Sequence, residues 1–359
     1  MNNGTVYFAA SPFALTASRE TAACWAGRKD ILTAITRLRN SLLSRSDSSL
    51  DMFWANFGSG KSHALYYLQH SLEHLSGADP KVLSVFVEMP DDIRHFLDLY
   101  SRIVAKLPMR LVAERIDVCQ DDEIPDDLRR FSNAILNGGA QEKAVARQWL
   151  AGGRPDLREL KRSTAIAARI EDDSRACDIL VGIVSALAGT GTRLLVLLDE
   201  FERVAVVQPR RRRDTILSNI RSVFSRNSRY FSMVLAVTSR VEQTAMEMLP
   251  GELRTLMGMR PAVSLPEMSE DEAVEFVLER FRFFRPEGFR GPSAAPFGKK
   301  SLQAVVRHIA GINGSRVIPR TVLQALAWVY DAAVELGTSE VPVDKTLSLV
   351  KELHWESLE

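Results

Sequence analysis

Apolar residues are distributed along this chain in two ways that alternate. Short, nearly unbroken apolar runs bounded by breakers occur at Asp51 to Ala55 (DMFWA), Val82 to Met89 (VLSVFVEM), Leu194 to Leu198 (LLVLL), Phe231 to Val237 (FSMVLAV) and Ala262 to Leu265. Their length and β-branched content predict strands. Because polar residues do not alternate regularly within them, both faces should be covered, which predicts a parallel sheet between layers of helices. From Asp91 to Arg193 the period is helical instead, at Ile93 to Leu107, Leu111 to Val118, Asp126 to Leu136, Gln141 to Leu150 and Ser174 to Leu187. Asp126 is placed to cap its helix and Gly138-Gly139 to end it. Past Pro266 the strand signals stop, and Glu272 to Phe284, Ser301 to Ala310 and Arg320 to Leu336 are spaced as helices, with a Pro- and Gly-rich loop from Arg285 to Gly298. The expected organisation is an α/β core over 1–265 with a helical insertion at about 91–190, then a helical domain over 266–359.

The first strand runs directly into Ala55-Asn56-Phe57-Gly58-Ser59-Gly60-Lys61-Ser62, and HALYYLQHSLEHL follows with helical spacing. Strand, glycine-rich turn, Lys-Ser and helix in this order are the context of a phosphate-binding P-loop. Gly58 and Gly60 free the backbone to wrap so that successive N–H groups point inward, and the helix adds the positive end of its dipole. Lys61 is expected to bridge the β- and γ-phosphates and the Ser62 hydroxyl to ligate Mg2+. Asn56, Phe57, Gly58, Ser59, Gly60, Lys61, Ser62 and His63 are thus the candidate phosphate-contacting residues. The strict pattern opens with Gly where this chain has Ala55; Ala is small enough that a tolerated variation is expected.

The third strand ends in Asp199-Glu200, as a strand must if it is to deliver carboxylates beside a phosphate loop. Asp199 would hold Mg2+ through its water shell, and Glu200 would polarise the attacking water. The next strand ends in Thr238-Ser239-Arg240, where a polar side chain can sense the γ-phosphate; Thr238 is the first candidate, and a register shift of one residue exchanges it with Ser239. Arg320, after Pro319 at a predicted helix start, suits a guanidinium reaching for the phosphates, and Arg316 could take its place. Arg254 is a candidate finger toward a neighbouring subunit's nucleotide, with an exposed surface charge as the other reading. Four adjacent cations, Arg210, Arg211, Arg212 and Arg213, are costly to bury and are expected in a surface loop before a helix from Asp214 to Phe224, either solvated or against nucleic-acid phosphates.

In 359 residues, 46% apolar and 25% charged, there is ample material for a large core and roughly two domains. Net charge is +1, so any nucleic-acid contact must be a local patch. Cys24, Cys119 and Cys177 fit neither a disulfide framework nor zinc spacing, which favours a reducing compartment. His63, His70, His74, His95, His308 and His354 show no metal spacing. No apolar run approaches the roughly 20 residues of a membrane span, and the start lacks a leader pattern, so a soluble cytoplasmic protein without membrane contact is expected.

In the order in which these motifs follow one another, the chain resembles the AAA+ P-loop ATPases. The order GRKDIL (Gly27 to Leu32), ANFGSGKS, LLVLLDE, VLAVTSR and a helical region with an IPR segment resembles the branch of origin-recognition and Cdc6-like initiators and their STAND-like signalling relatives. The resemblance implies that Gly27-Arg28-Lys29 packs near the adenine, with Lys29 where an acid is common, and makes Arg28 a candidate nucleotide-binding residue. Ala146 to Gly152 (ARQWLAG), Leu157 to Leu160, Ile170-Glu171-Asp172-Asp173 and LLVLLDEFERV are similar to ATP-binding P-loop proteins of BREX-type phage-exclusion systems, which are encoded beside helicases and methyltransferases.

What these likenesses imply is a Mg2+-dependent ATPase with a three-layer core and a helical lid. It would act as a homo-oligomer that remodels or loads on DNA in a bacterial defence or replication-like setting, with a helicase, nuclease or methyltransferase as possible partner. A nucleotide-controlled signalling switch and an ATP-bound scaffold recruiting a helicase or nuclease are the alternatives. Cdc6-type initiators carry a C-terminal winged helix for DNA, and only about 40 residues follow Arg320 here, so duplex binding through such a module is not expected.

Overall fold

The computed structural model describes residues 7–75, 81–121, 124–258, 260–312, 316–335 and 341–353; His354 lies outside them. In chain order the elements are α1 (Lys29–Ser44), β1 (Ser49–Ala55), α2 (Lys61–Glu73), β2 (Val82–Glu88), α3 (Phe96–Ala105), α4 (Met109–Val118), α5 (Asp126–Asn137), α6 (Ala140–Leu150), α7 (Leu157–Thr164), α8 (Asp173–Gly189) and β3 (Arg193–Asp199). They continue with α9 (Glu202–Ala205), α10 (Arg210–Arg226), β4 (Phe231–Thr238), α11 (Glu242–Glu247), α12 (Gly251–Met257), β5 (Val263–Ser264), α13 (Glu270–Phe284), α14 (Lys299–Ile312), α15 (Pro319–Glu335) and α16 (Val343–Lys351).

All five expected strands are present and form one sheet in the order β2-β3-β4-β1-β5. β2 and β4 both pair parallel to β3, with Val85 opposite Val196 on one side and Met233 opposite it on the other. Every residue of β3 is buried, which is why its apolar run is continuous. The ends differ from expectation: β1 starts two residues earlier, at Ser49, and the last strand shrinks to Val263–Ser264.

Two compact units are interleaved along the chain, one of Thr36–Trp54 and Ser71–Val263, the other of Met1–Ile35, Ala55–His70 and Ser264–Glu359. The first is built on the sheet and holds all six helices from α3 to α8, one more than the pattern predicted. The extra one, α7, is capped by Asp156, whose carboxylate accepts from the backbone N–H of Arg158 and Glu159. It was illegible because only Leu160 and Thr164 of its eight residues are buried. The insertion shares one continuous apolar core with the sheet. Trp149 is fully buried, its indole N–H donates to the Ala168 carbonyl (2.9 Å), and the Tyr100 hydroxyl donates to the Leu150 carbonyl (2.8 Å). Asp127 ties three segments, accepting from the Ala167 N–H at 2.9 Å and pairing with Arg130 at 3.0 Å and with Arg175.

The second unit has its own apolar cluster, in which Phe8 and Phe13 pack with Phe281, Phe297 and Tyr330. Among the described residues no helix is long and apolar enough to cross a membrane, and all three cysteines are free and buried.

The four-arginine run is a correction to the loop reading. α10 begins at Arg210, with Pro209 as its N-cap and the Arg212 N–H donating to the Pro209 carbonyl at 2.8 Å. The cost of burying cations demands exposure, not disorder of the backbone. A helix face toward solvent meets that demand, and Arg is a good helix former.

Arg193 anchors the start of β3. It is 2% exposed, yet its guanidinium makes four hydrogen bonds: to the carbonyls of Leu42 (3.1 Å), Arg45 (2.6 Å) and Asp47 (3.0 Å) and to the Ser232 hydroxyl (2.6 Å). The guanidinium thus satisfies carbonyls at the C-terminal end of α1. Arg193→Met should lower stability by about 2–4 kcal/mol, since several buried acceptors lose their donor at once. Urea unfolding measures this, and a loss under about 1 kcal/mol would mean that water replaces the donors.

Candidate functional site

The phosphate loop lies wholly in the second unit. Ala55 closes β1 in extended backbone, where a Cβ carries no steric cost, which explains the departure from Gly at that position. Gly58 (φ +75°) and Gly60 (φ +94°) are left-handed, conformations a side chain would strain. The Lys61 ammonium, at the first residue of α2, is buried and donates to the carbonyls of Ala55 (3.2 Å) and Asn56 (3.1 Å). Ser59 is 1% exposed and its hydroxyl has no hydrogen-bond partner. An orphaned buried hydroxyl inside a turn of glycines at a helix N-terminus fits a phosphate ligand.

Arg28 contributes by shaping this loop. Its guanidinium donates to the Ser59 carbonyl at 2.5 Å and to the Pro266 carbonyl. Burial pushes its pKa down to about 10, with Glu272 opposing the fall, so it remains charged at neutral pH. Gly27 and Arg28 are both left-handed (φ +59° and +49°), and the Gly27 N–H donates to Glu279 at 2.6 Å. His63 brings no charge. Its Nε2 meets the Cys24 carbonyl at 2.7 Å, so that nitrogen carries the proton, and burial lowers its pKa to about 4 against the opposing pull of that carbonyl. Its ring stacks against Trp25 at 6.0 Å between centroids.

The loop's crest meets the C-terminal helices of the same unit. The Asn56 amide donates to Glu267 (2.9 Å), which Arg316 approaches at 3.6 Å, and Met268 and Val317 exchange backbone hydrogen bonds at 2.8 and 3.1 Å. The Arg320 guanidinium stands 4.7 Å over the Phe57 ring. Of the two candidate arginines, Arg320 is therefore on the loop and Arg316 on a carboxylate.

In the sheet-based unit, Asp199 is buried at the end of β3, and its carboxylate accepts from the Glu200 N–H at 3.0 Å. Glu200 is left-handed (φ +55°), a strained state for a side chain with a Cβ. Its side chain keeps 37% exposure while Oε2 is enclosed and paired with Arg203. Arg203 also reaches Asp91 (2.8 Å), Glu88 (3.4 Å) and the Met89 carbonyl. Desolvation raises the Glu200 pKa, Arg203 opposes this, and Glu88, Asp199 and Glu202 add to it. Arg203, Glu88 and Asp91 were not foreseen; the one available signal was the spacing in DEFER, which puts Arg203 one helical turn after Glu200.

At the end of β4, the Thr238 N–H donates to Glu202 at 3.0 Å, while the Ser239 hydroxyl is spent locally on Val241 at 2.8 Å. Arg254 is exposed on α12. Arg210, Arg211 and Arg212 are exposed at the start of α10, whose first turn holds no acid; Arg210 and Arg213 approach Asp214 at 3.7 and 3.3 Å. Among the described residues no group of three His, Cys, Asp or Glu side chains could hold a metal ion by itself.

This fold is that of the AAA+ P-loop ATPases: a parallel five-stranded sheet with helices, carrying a P-loop after its first strand. The chain is similar to the ORC2 protein of Aeropyrum pernix, solved as ADPNP–ADP complexes, at 16% identity and a TM-score of 0.59 over 94% of this chain and 73% of that one. It is also similar to the ORC1 protein of Aeropyrum pernix in complex with DNA (12%, 0.53, 93% and 69%) and to Cdc6p from Pyrobaculum aerophilum (14%, 0.53, 96% and 74%). Residues 98–244 are similar to the family described as BREX system ATP-binding protein BrxC/D. That segment runs from α3 through the insertion, β3 and β4 into α11, and contains ARQWLAG and LLVLLDEFERV. No curated protein matches the chain.

Proposed function

We propose that this protein binds and hydrolyses ATP with Mg2+, as an oligomeric AAA+ protein of the cytoplasm that works on DNA. The observation that carries the reading is the phosphate loop itself, with left-handed Gly58 and Gly60, the unpartnered Ser59 hydroxyl, and Lys61 opening a thirteen-residue helix. Lys61 binds the β- and γ-phosphates, the loop N–H groups of Asn56 to Ser62 cradle them beside His63, and Arg28 holds the loop open. Ser62 and Asp199 would hold Mg2+, which when bound supplies positive charge against the phosphates. Glu200 orients and deprotonates the attacking water, Thr238 holds it from the neighbouring strand, Arg320 meets the γ-phosphate, and Arg254 is the finger for a neighbouring subunit. On this reading 266–359 is the lid on the 1–265 core.

DNA binding is supported by the exposed arginines that open α10 and by the likeness to an origin-recognition protein solved with DNA. Cations at a helix N-terminus oppose its dipole, a placement that phosphates would relieve. ATPase rate and particle mass, measured with and without duplex or single-stranded DNA, test the reading: DNA should stimulate turnover, and wild type that binds no ATP refutes it. Changing Arg210, Arg211, Arg212 and Arg213 to Gln should weaken DNA binding and flatten its dependence on salt by about 0.9 in log–log slope for each phosphate no longer neutralised. An unchanged slope would remove DNA from this surface.

The tie between Glu200 and Arg203 favours a second reading, a slow nucleotide-controlled switch that recruits a helicase, nuclease or methyltransferase. A basal rate unaffected by DNA, together with ATP-driven assembly, would select it.

A further inference from the structure

We propose that Phe57 is the positioning residue for Arg320: its ring face takes up the guanidinium and presents it at the phosphate loop. The proposal rests on the reading of that loop as a nucleotide site. Four observations within one unit support it. The Arg320 guanidinium carbon stands 4.7 Å from the ring centroid, inside the roughly 6 Å range of a cation–π contact. Phe57 is 61% exposed, so its ring fills no core and packing does not account for an aromatic at this place. A Cβ on Gly58 would lie 3.1 Å from Arg320 Cβ and 3.2 Å from Ile318 Cγ2. The missing side chain therefore lets the crest of the loop touch the beginning of α15. Around the stack, Asn56 with Glu267, Arg28 with Ser59 and Pro266, and Met268 with Val317 hold the two backbones in place.

With both backbones held, the guanidinium is the part left to move. Pro319 opens α15 and sets the direction in which Arg320 leaves the helix, but a long side chain has about 2 kcal/mol of rotamer freedom to lose. The Phe57 ring restricts that freedom before any phosphate arrives. An exposed cation–π contact is weak enough for a γ-phosphate to compete with, whereas a buried ion pair at the same place would trap the arginine. Arg316, already drawn to Glu267 at 3.6 Å, does not compete for the ring. Phe57 thus contributes to telling ATP from ADP without itself touching the γ-phosphate.

The test uses the full chain and two readouts. In nucleotide-free protein with labelled arginine, NMR should show Arg320 side-chain protons shifted upfield by the ring, and Phe57→Leu should abolish the shift. ATP and ADP affinities are then measured by calorimetry with Mg2+. Phe57→Leu should lower the ratio of ATP to ADP affinity by about two- to fivefold, and Phe57→Tyr, which keeps the aromatic face, should restore it. Arg320→Met should lower the ratio at least as far, and adding Phe57→Leu to it should lower it no further. Absence of the ring shift, a ratio unmoved by Phe57→Leu, or losses that multiply in the double variant would each overturn the proposal. Wild type that shows the shift but binds neither nucleotide would refute the reading of the loop, and with it the role claimed for the stack.

Discussion

Lys61→Ala is expected to weaken ATP binding by about 30-fold or more, and to do so without unfolding the protein. The ammonium is buried at the first turn of α2 with its donors turned to backbone carbonyls of the loop. A charge-assisted bond to phosphate is worth about 1.5–3 kcal/mol, and a lysine that bridges two phosphates makes at least one to each. Two such bonds correspond to roughly two to four decades in affinity. Part is recovered because Ala leaves the loop N–H groups and the helix dipole in place, hence the lower bound. Calorimetric titration with ATP and Mg2+ measures the effect, with a thermal melt as the control for folding. Affinity within threefold of wild type would show that the cradle does not hold a triphosphate.

Glu200→Gln should lower turnover by about 10²–10³-fold while ATP affinity stays near that of wild type, since the amide keeps the size of the side chain and loses only its capacity to take a proton. The pH profile offers a second signature. Desolvation holds the Glu200 pKa above its ordinary value. The base is present above that raised pKa and is lost as pH falls through it, so the acid limb of the turnover profile should lie above the usual carboxylate range near 4.3. The stability sign is opposite to that of a salt-bridged acid with a depressed pKa. A carboxyl whose folded pKa is raised costs stability once pH exceeds its unfolded value, so Glu200→Gln should melt at or slightly above the wild-type temperature at neutral pH. If Glu200→Gln retains a tenth or more of the wild-type rate, another group activates the water.

Arg203 complicates that simple account in an informative way. Its guanidinium serves Glu200, Asp91, Glu88 and the Met89 carbonyl together. No periodicity or spacing rule collects those four partners, because they come from the end of β2, the loop after it and the end of β3. The same applies to Glu267, which faces Asn56 across more than two hundred residues of chain. Long-range polar pairs of this kind become visible only once the backbone has brought the segments together.

The ARQWLAG segment illustrates the converse. Its likeness to BREX-type proteins was readable at once, and residues 98–244 do match that family, yet the segment's physical role is packing. Trp149 is fully buried with its N–H on Ala168, and the Leu150 carbonyl accepts from Tyr100. A family signature can thus mark a core without marking chemistry. The arginine run differs again. Exposure was inferred correctly from charge, but a loop did not follow, since α10 starts at Arg210.

What consecutive residues determined here is local: five strands, the turn of glycines between a strand and Lys-Ser, and the acids that end β3. Each is set by backbone preference and by neighbours within a few positions, so it survives being read from a string. Tertiary structure alone decided that Arg28 donates to the Ser59 carbonyl, that Arg320 rather than Arg316 meets Phe57, and that Arg203 reaches Glu88 and Asp91. Those outcomes depend on distances between segments far apart in the chain, and no pattern along the chain encodes such distances.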